Sequence, residues 1–157
     1  MQAASLGIPF QPIRGLCHTD VAAVGGFATV RDPYSGEEVH VVPRIRPDWA
    51  VLHVHEADEH GNARLHGSPG YDPVMAEASA RVILTTEQII PTHEPVDHPE
   101  LTRIPGIFVS AVVLVPKGAF PCGCMPDYDV DPGGIEDYLR ATRSEDTLRE
   151  YLHDVTP

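Results

Sequence analysis

Apolar residues in this chain gather in short, almost unbroken runs separated by turn residues. The clearest run is Trp49-Ala50-Val51-Leu52-His53-Val54-His55, the kind a buried parallel strand shows. Arg81-Val82-Ile83-Leu84-Thr85-Thr86 is strand-like again, and residues 108–115 read as another buried strand. Between the first two, residues 72–80 carry Val74, Met75, Ala78 and Ala80 among helix formers, which predicts a helix feeding a strand. The β-rich runs 26–30 and 38–42 flank Asp32-Pro33-Tyr34-Ser35-Gly36, a reversing loop, so they predict a β-hairpin.

The ends of the chain read differently. Residues 3–12 look like the tail of a helix entering a Gly7-Ile8-Pro9 turn, and a chain that opens on a helix end reads as cut from a longer one. Residues 133–143 and 145–153 place Ile135, Tyr138 and Leu139, then Leu148, Tyr151 and Leu152, at helical spacing, with Ser144 as N-cap of the second helix. The Pro-, His- and acid-rich stretch 90–105 is predicted as a long surface connection, and 118–132 as irregular. Strands alternating with helices give an α/β class: a mainly parallel sheet flanked by helices, with an added antiparallel β-hairpin. Ligands in such folds sit beyond the carboxyl ends of the strands, here residues 55–62, 87–91 and 116–125.

Composition narrows the partners. The 157 residues suit a single domain, 1–157, and 42% hydrophobic content supplies a core. A formal net charge of -12 repels a phosphate backbone, so nucleic acid is not an expected partner. No stretch reaches the roughly 18 apolar residues of a membrane span, and Met1-Gln2-Ala3-Ala4-Ser5 lacks the features of a signal peptide. Three cysteines, Cys17, Cys122 and Cys124, are too few for a disulfide framework. These features predict a cytoplasmic protein with no membrane partner.

The densest polar cluster is His53-Val54-His55-Glu56-Ala57-Asp58-Glu59-His60-Gly61-Asn62. Alternate residues of a strand share a face, so His53 and His55 have the spacing of two metal ligands. With Glu59 and Gly67 the stretch approaches the cupin pattern, but a cupin needs an all-β barrel and a second His-bearing strand, and this chain offers only His93 and His98 in a proline-rich segment. The plainer reading is histidines on a strand end, with no metal. Cys122 and Cys124 are too close for an easy disulfide and read as idle thiols.

The same stretch also resembles a known family. Pro47-Asp48-Trp49-Ala50-Val51-Leu52-His53, Ala57-Asp58 and Gly61-Asn62-Ala63 look like a signature of the A-type subunits of family I CoA-transferases, of the glutaconate CoA-transferase kind. Four further segments agree in order: 7–15, 32–37, 75–90 and 115–121, the last followed by Tyr128-Asp129. The resemblance is to the C-terminal half of such an A-type chain. It implies covalent catalysis by a glutamate carboxylate that attacks an acyl-CoA thioester and becomes a CoA thioester itself, with a B-type partner subunit.

The front half of the A-type subunit, with its glycine-rich CoA-binding segment, has no counterpart here, so no catalytic residue is carried onto this chain. Coenzyme A is expected as part of an acyl-CoA substrate rather than as a resident cofactor. Asp58, Gly61 and Asn62 are the candidate substrate-binding residues, because such a loop at a strand's carboxyl end can present an amide to a ligand; the alternative is a turn whose glycine and asparagine tolerate left-handed geometry. Glu87 reads as a cap or salt-bridge partner in preference to a site residue. Phe120 stands where many relatives have a polar residue. A cropped sheet is expected to expose an edge and to form an oligomer or bind a partner. The remaining alternatives are a non-catalytic remnant forming a homo-oligomer and a cupin-like metal enzyme.

Overall fold

Leu52, Val54, Val82 and Leu84, side by side on two neighbouring strands, form the centre of the molecule in the computed structural model, which describes residues 1–16 and 19–155. Cys17 lies outside the described residues. The chain runs α1 (Gln2–Ser5), β1 (Phe10–Ile13), α2 (Asp20–Val24), β2 (Thr29–Arg31), β3 (Glu38–Pro43), β4 (Trp49–Ala57) and β5 (Ala63–Arg64). It continues through α3 (Asp72–Ala78), β6 (Arg81–Ile89), α4 (Glu94–Asp97), β7 (Thr102–Ile104), β8 (Ala111–Leu114), α5 (Pro132–Ala141) and α6 (Glu145–Val155).

Two sheets form. The larger has the order β7-β5-β4-β6-β8, with β4/β6 and β6/β8 parallel and β4/β5 and β5/β7 antiparallel. The expected α/β class therefore holds, as a mixed sheet with a three-stranded parallel half. The expected hairpin is β2 and β3, and β1 adds a third strand to it, giving a separate antiparallel sheet of order β1-β3-β2. Gly7 takes φ 71° just past α1, the left-handed geometry that ends a helix. Ser144 caps α6 as its hydroxyl accepts from the Thr147 N–H at 3.2 Å.

The run 49–55 is a strand because alternate residues can be buried. Ala50, Leu52 and Val54 point into the core, where they meet Val82 and Leu84 of β6 and Ala76 of α3. Each fully buried aliphatic side chain of this kind contributes roughly 1.5–3 kcal/mol relative to exposure. α3 links the parallel strands β4 and β6, as parallel pairing requires a crossover.

Three expectations are revised. The surface connection 90–105 contains α4 and the strand β7, whose Ile104 is 0% exposed and pairs with Ala63. The polar loop after β4 gives way to β5 within a few residues. Elements of two or three residues are too short to show a period. Residues 108–115 form a strand only over Ala111–Leu114, and Val113 and Leu114 are exposed, since β8 is an edge of the sheet with one neighbour. A continuous apolar run there signals a surface to be covered as much as a core.

The face of the sheet opposite the core decides where the site lies. In-register pairing puts Val51, Ile83 and Ala111 in one row and His53, Thr85 and Val113 in the next, all away from the core. Among the described residues no helix is long and apolar enough to cross a membrane.

Candidate functional site

His53 and Thr85 are register partners on β4 and β6, and Glu87 follows Thr85 on the same face by the period of a strand. Strand pairing thus brings together three polar side chains that are far apart in sequence. His53 Nδ1 lies 2.9 Å from Thr85 Oγ1, and His53 Nε2 donates to Glu87 Oε1 at 2.7 Å. The same Oε1 accepts from the Tyr128 hydroxyl at 2.6 Å, while Oε2 accepts from the Lys117 N–H at 2.7 Å. Tyr128 Oη in turn accepts from the Ala119 N–H at 3.0 Å.

Glu87 thereby ties residues 117–128 down onto the sheet. Lys117 has φ 59°, left-handed geometry uncommon for a residue with a Cβ, and the bond from its N–H to Glu87 helps hold it there. Gly118 has no room for a side chain, since a Cβ would lie 2.8 Å from His53 Cε1. Burial pushes the Glu87 carboxyl up, but the bonds from Tyr128, Lys117 and His53, with the charge of His53, outweigh it and hold the group below the usual carboxylate range. Burial, and then the bond to Glu87, push the Tyr128 phenol up to about 12.

Beside this clamp lies a cavity of about 730 Å³, lined by His53, His55, His66, Ala119, Cys124 and Met125 among others. His55 is buried, donates from Nε2 to the Met125 carbonyl at 2.6 Å and accepts at Nδ1 from the His66 N–H at 3.2 Å. The His55 and His66 rings stack with centroids 4.6 Å apart. Burial, and then the charges of Glu87 and Asp127, push the Cys124 thiol up. Cys122 is exposed and Cys124 buried, and both are free.

The residues expected to contact substrate, Asp58, Gly61 and Asn62, lie together in the turn after β4. Asp58 is 1% exposed, and its Oδ1 accepts from the N–H groups of His60 and Asn62 at 3.0 and 2.8 Å. Its Oδ2 accepts from Asn62 Nδ2 at 2.9 Å, and Asn62 Oδ1 accepts from the Gly106 N–H at 3.0 Å. Gly61 has φ 86°, and a Cβ there would lie 2.5 Å from Val109 Cβ. The three residues thus bind one another and the 106–109 segment, and the lining of the large cavity does not include them.

His53 and His55 share a face as their spacing implied, but the cupin arrangement does not form. Glu59 points to solvent, and the mixed sheet replaces an all-β barrel. Glu87 makes the ion pair favoured from the sequence, from within a strand, with His53. Phe120 is half exposed beside the clamp. Sequence reasoning missed the part played by Tyr128, for which no local pattern exists. The alternation of Thr85 and Glu87 was the available signal for the rest.

Comparison with known proteins agrees with this architecture. The family model described as Coenzyme A transferase matches residues 1–114. The A-type chain of glutaconate CoA-transferase from Acidaminococcus fermentans is 32% identical over 98% of this chain and 54% of its own length. The crystal structure of that organism's glutaconate coenzyme A-transferase superposes with TM-score 0.84 over 98% of this chain and 54% of that one. The cholesterol ring-cleaving hydrolase IpdA subunit of Mycobacterium tuberculosis (strain CDC 1551) is 31% identical over 98% of this chain and 56% of its own. A variant of the decarboxylase AibA/AibB superposes with TM-score 0.82 at 35% identity, over 97% of this chain and 56% of that one. The chain spans about half the length of these relatives. A match to the family model over residues 1–114, joined to a shared backbone over nearly all the described residues, establishes that this protein belongs to the coenzyme A transferase family.

Proposed function

We propose that the chain is part of an A-type subunit, corresponding to its C-terminal half, that works with a B-type partner on acyl-CoA thioesters of carboxylic or ring-derived acids. The observation that carries this reading is the match to the A-type chain of glutaconate CoA-transferase over 98% of this chain. In the reaction a glutamate carboxylate attacks the thioester carbonyl and expels CoA thiolate, leaving an acyl-glutamyl anhydride. The thiolate then attacks the glutamyl carbonyl, releasing the acyl group as a carboxylate and leaving CoA on the enzyme.

Glu87 is poorly suited to be that nucleophile. Both of its oxygens already accept hydrogen bonds, from three donors that tie it to His53, Lys117 and Tyr128. On this reading, which follows the resemblance to A-type subunits, the attacking carboxylate belongs to the B-type partner, and this chain supplies the wall against which the thioester lies. Asp58, Gly61 and Asn62 serve the substrate by holding the loop at the carboxyl end of β4 in a single shape. The relatives' names cover CoA transfer, ring-cleaving hydrolysis and decarboxylation, so this half of the subunit supports more than one reaction.

The test is acyl exchange between acetyl-CoA and glutaconate, run with this chain alone and with the polypeptides that co-purify with it from its source, a front half of the A-type subunit and a B-type partner being the ones expected. Exchange only with the partner present supports the reading. Exchange by the chain alone overturns it, and the absence of any co-purifying subunit favours the non-catalytic remnant.

A further inference from the structure

One buried thiol lies near more potential ligand atoms than the proposed reaction uses. Cys124 Sγ is part of two groups whose donor atoms lie within 4.8 Å of one another: His53 and Glu87 on one side, His55 and Asp127 on the other. The first pair is saturated, since His53 and Glu87 hold each other, Thr85, Lys117 and Tyr128. The second has capacity. Among the described residues no hydrogen bond reaches the Cys124 sulfur or the Asp127 carboxylate, and His55 has one short bond, to Met125, and one longer one, from His66.

We propose that His55, Cys124 and Asp127 bind one divalent cation of the Zn²⁺ class at the wall of the 730 Å³ cavity, a role that stands whether or not the transferase reading does. One nitrogen, one thiolate and one carboxylate form the mixed set that borderline-soft zinc prefers over Mg²⁺ or Ca²⁺. Three protein ligands leave a fourth position for water or a ligand in the cavity. On binding, the Cys124 proton leaves to solvent, and His55 exchanges one of its two hydrogen bonds for a bond to the metal. The bond it keeps orients the ring, as a second partner does for most metal-bound imidazoles. Tetrahedral zinc holds its ligand atoms roughly 3.5 Å apart, within the 4.8 Å that bounds the separations of these three.

The experiment is titration of the metal-stripped 157-residue chain with Zn²⁺ by calorimetry, and with Co²⁺ by absorption spectroscopy. One ion per chain is expected, with a thiolate-to-cobalt charge-transfer band. C124S should abolish the band and weaken Zn²⁺ binding by about tenfold or more; D127N, an exposed change that leaves folding alone, should weaken it similarly. C122S should change neither. A chain that takes up no ion, or one whose Zn²⁺ affinity survives both C124S and D127N, overturns the site and leaves only scattered surface histidines as binders. Circular dichroism of each variant confirms that a lost ion is not a lost fold.

Discussion

Glu87 accepts a 2.6 Å hydrogen bond from the Tyr128 hydroxyl across 41 residues of chain. This contact joins the end of a sheet strand to the irregular segment that walls the cavity. Tyr128→Phe removes that bond and the acceptor of the Ala119 N–H. The expected loss is about 1–3 kcal/mol, since a bond to a charged group is involved. Chemical denaturation of the two proteins checks it, with Tyr128→Ala expected to be worse because packing goes as well.

The same cluster sets the pH limits of stability. Glu87 has its carboxyl held below its unfolded value, so its contribution is present above the unfolded pKa of about 4.3 and is lost as pH falls through the folded one. Tyr128 is raised to about 12, so its contribution is whole below the unfolded pKa of about 10 and is lost as pH rises through the folded value. Glu87→Gln should therefore flatten the acid limb of a melting-temperature profile. An unchanged acid limb would mean the clamp is not formed in solution.

Gly61→Ala should destabilise the fold by about 1–3 kcal/mol, because φ 86° is unfavourable for alanine and its Cβ would overlap Val109. Adding Val109→Gly, which removes the Cβ that would lie 2.5 Å away, should recover the part due to crowding and leave the backbone part at position 61. A double-mutant cycle by thermal denaturation separates the two.

Val51 is 66% exposed on the sheet face turned away from the core, in one row with Ile83 and Ala111 and one strand repeat from Trp49. Val51→Asp should alter monomer stability by no more than about 0.5 kcal/mol. It should also weaken association with a B-type partner or a second copy, read by analytical ultracentrifugation. Equal association of the two proteins would place the interface elsewhere.

What the sequence made legible follows from range. β4, α3 and β6 were visible because each is long enough to show its own period, and His53 and His55 share a face for the same reason. β5 and β7 were not, since each borrows its stability from its neighbour. The 108–115 run was read as a buried strand, whereas only Ala111–Leu114 form β8 and Val113 and Leu114 are exposed at this edge of the sheet. The polar loop 56–62 drew attention through its composition, yet its side chains bind one another, and the cavity is lined instead by His55 and Cys124 from distant segments. No pattern in a single sequence pairs residues so far apart.

The most direct test is the intact mass of both polypeptides once the co-purified complex has been incubated with acetyl-CoA. The proposed division of labour predicts a CoA adduct on the B-type partner, with this chain's mass unmodified. A CoA adduct on this chain, mapped to Glu87 by peptide sequencing, would contradict it.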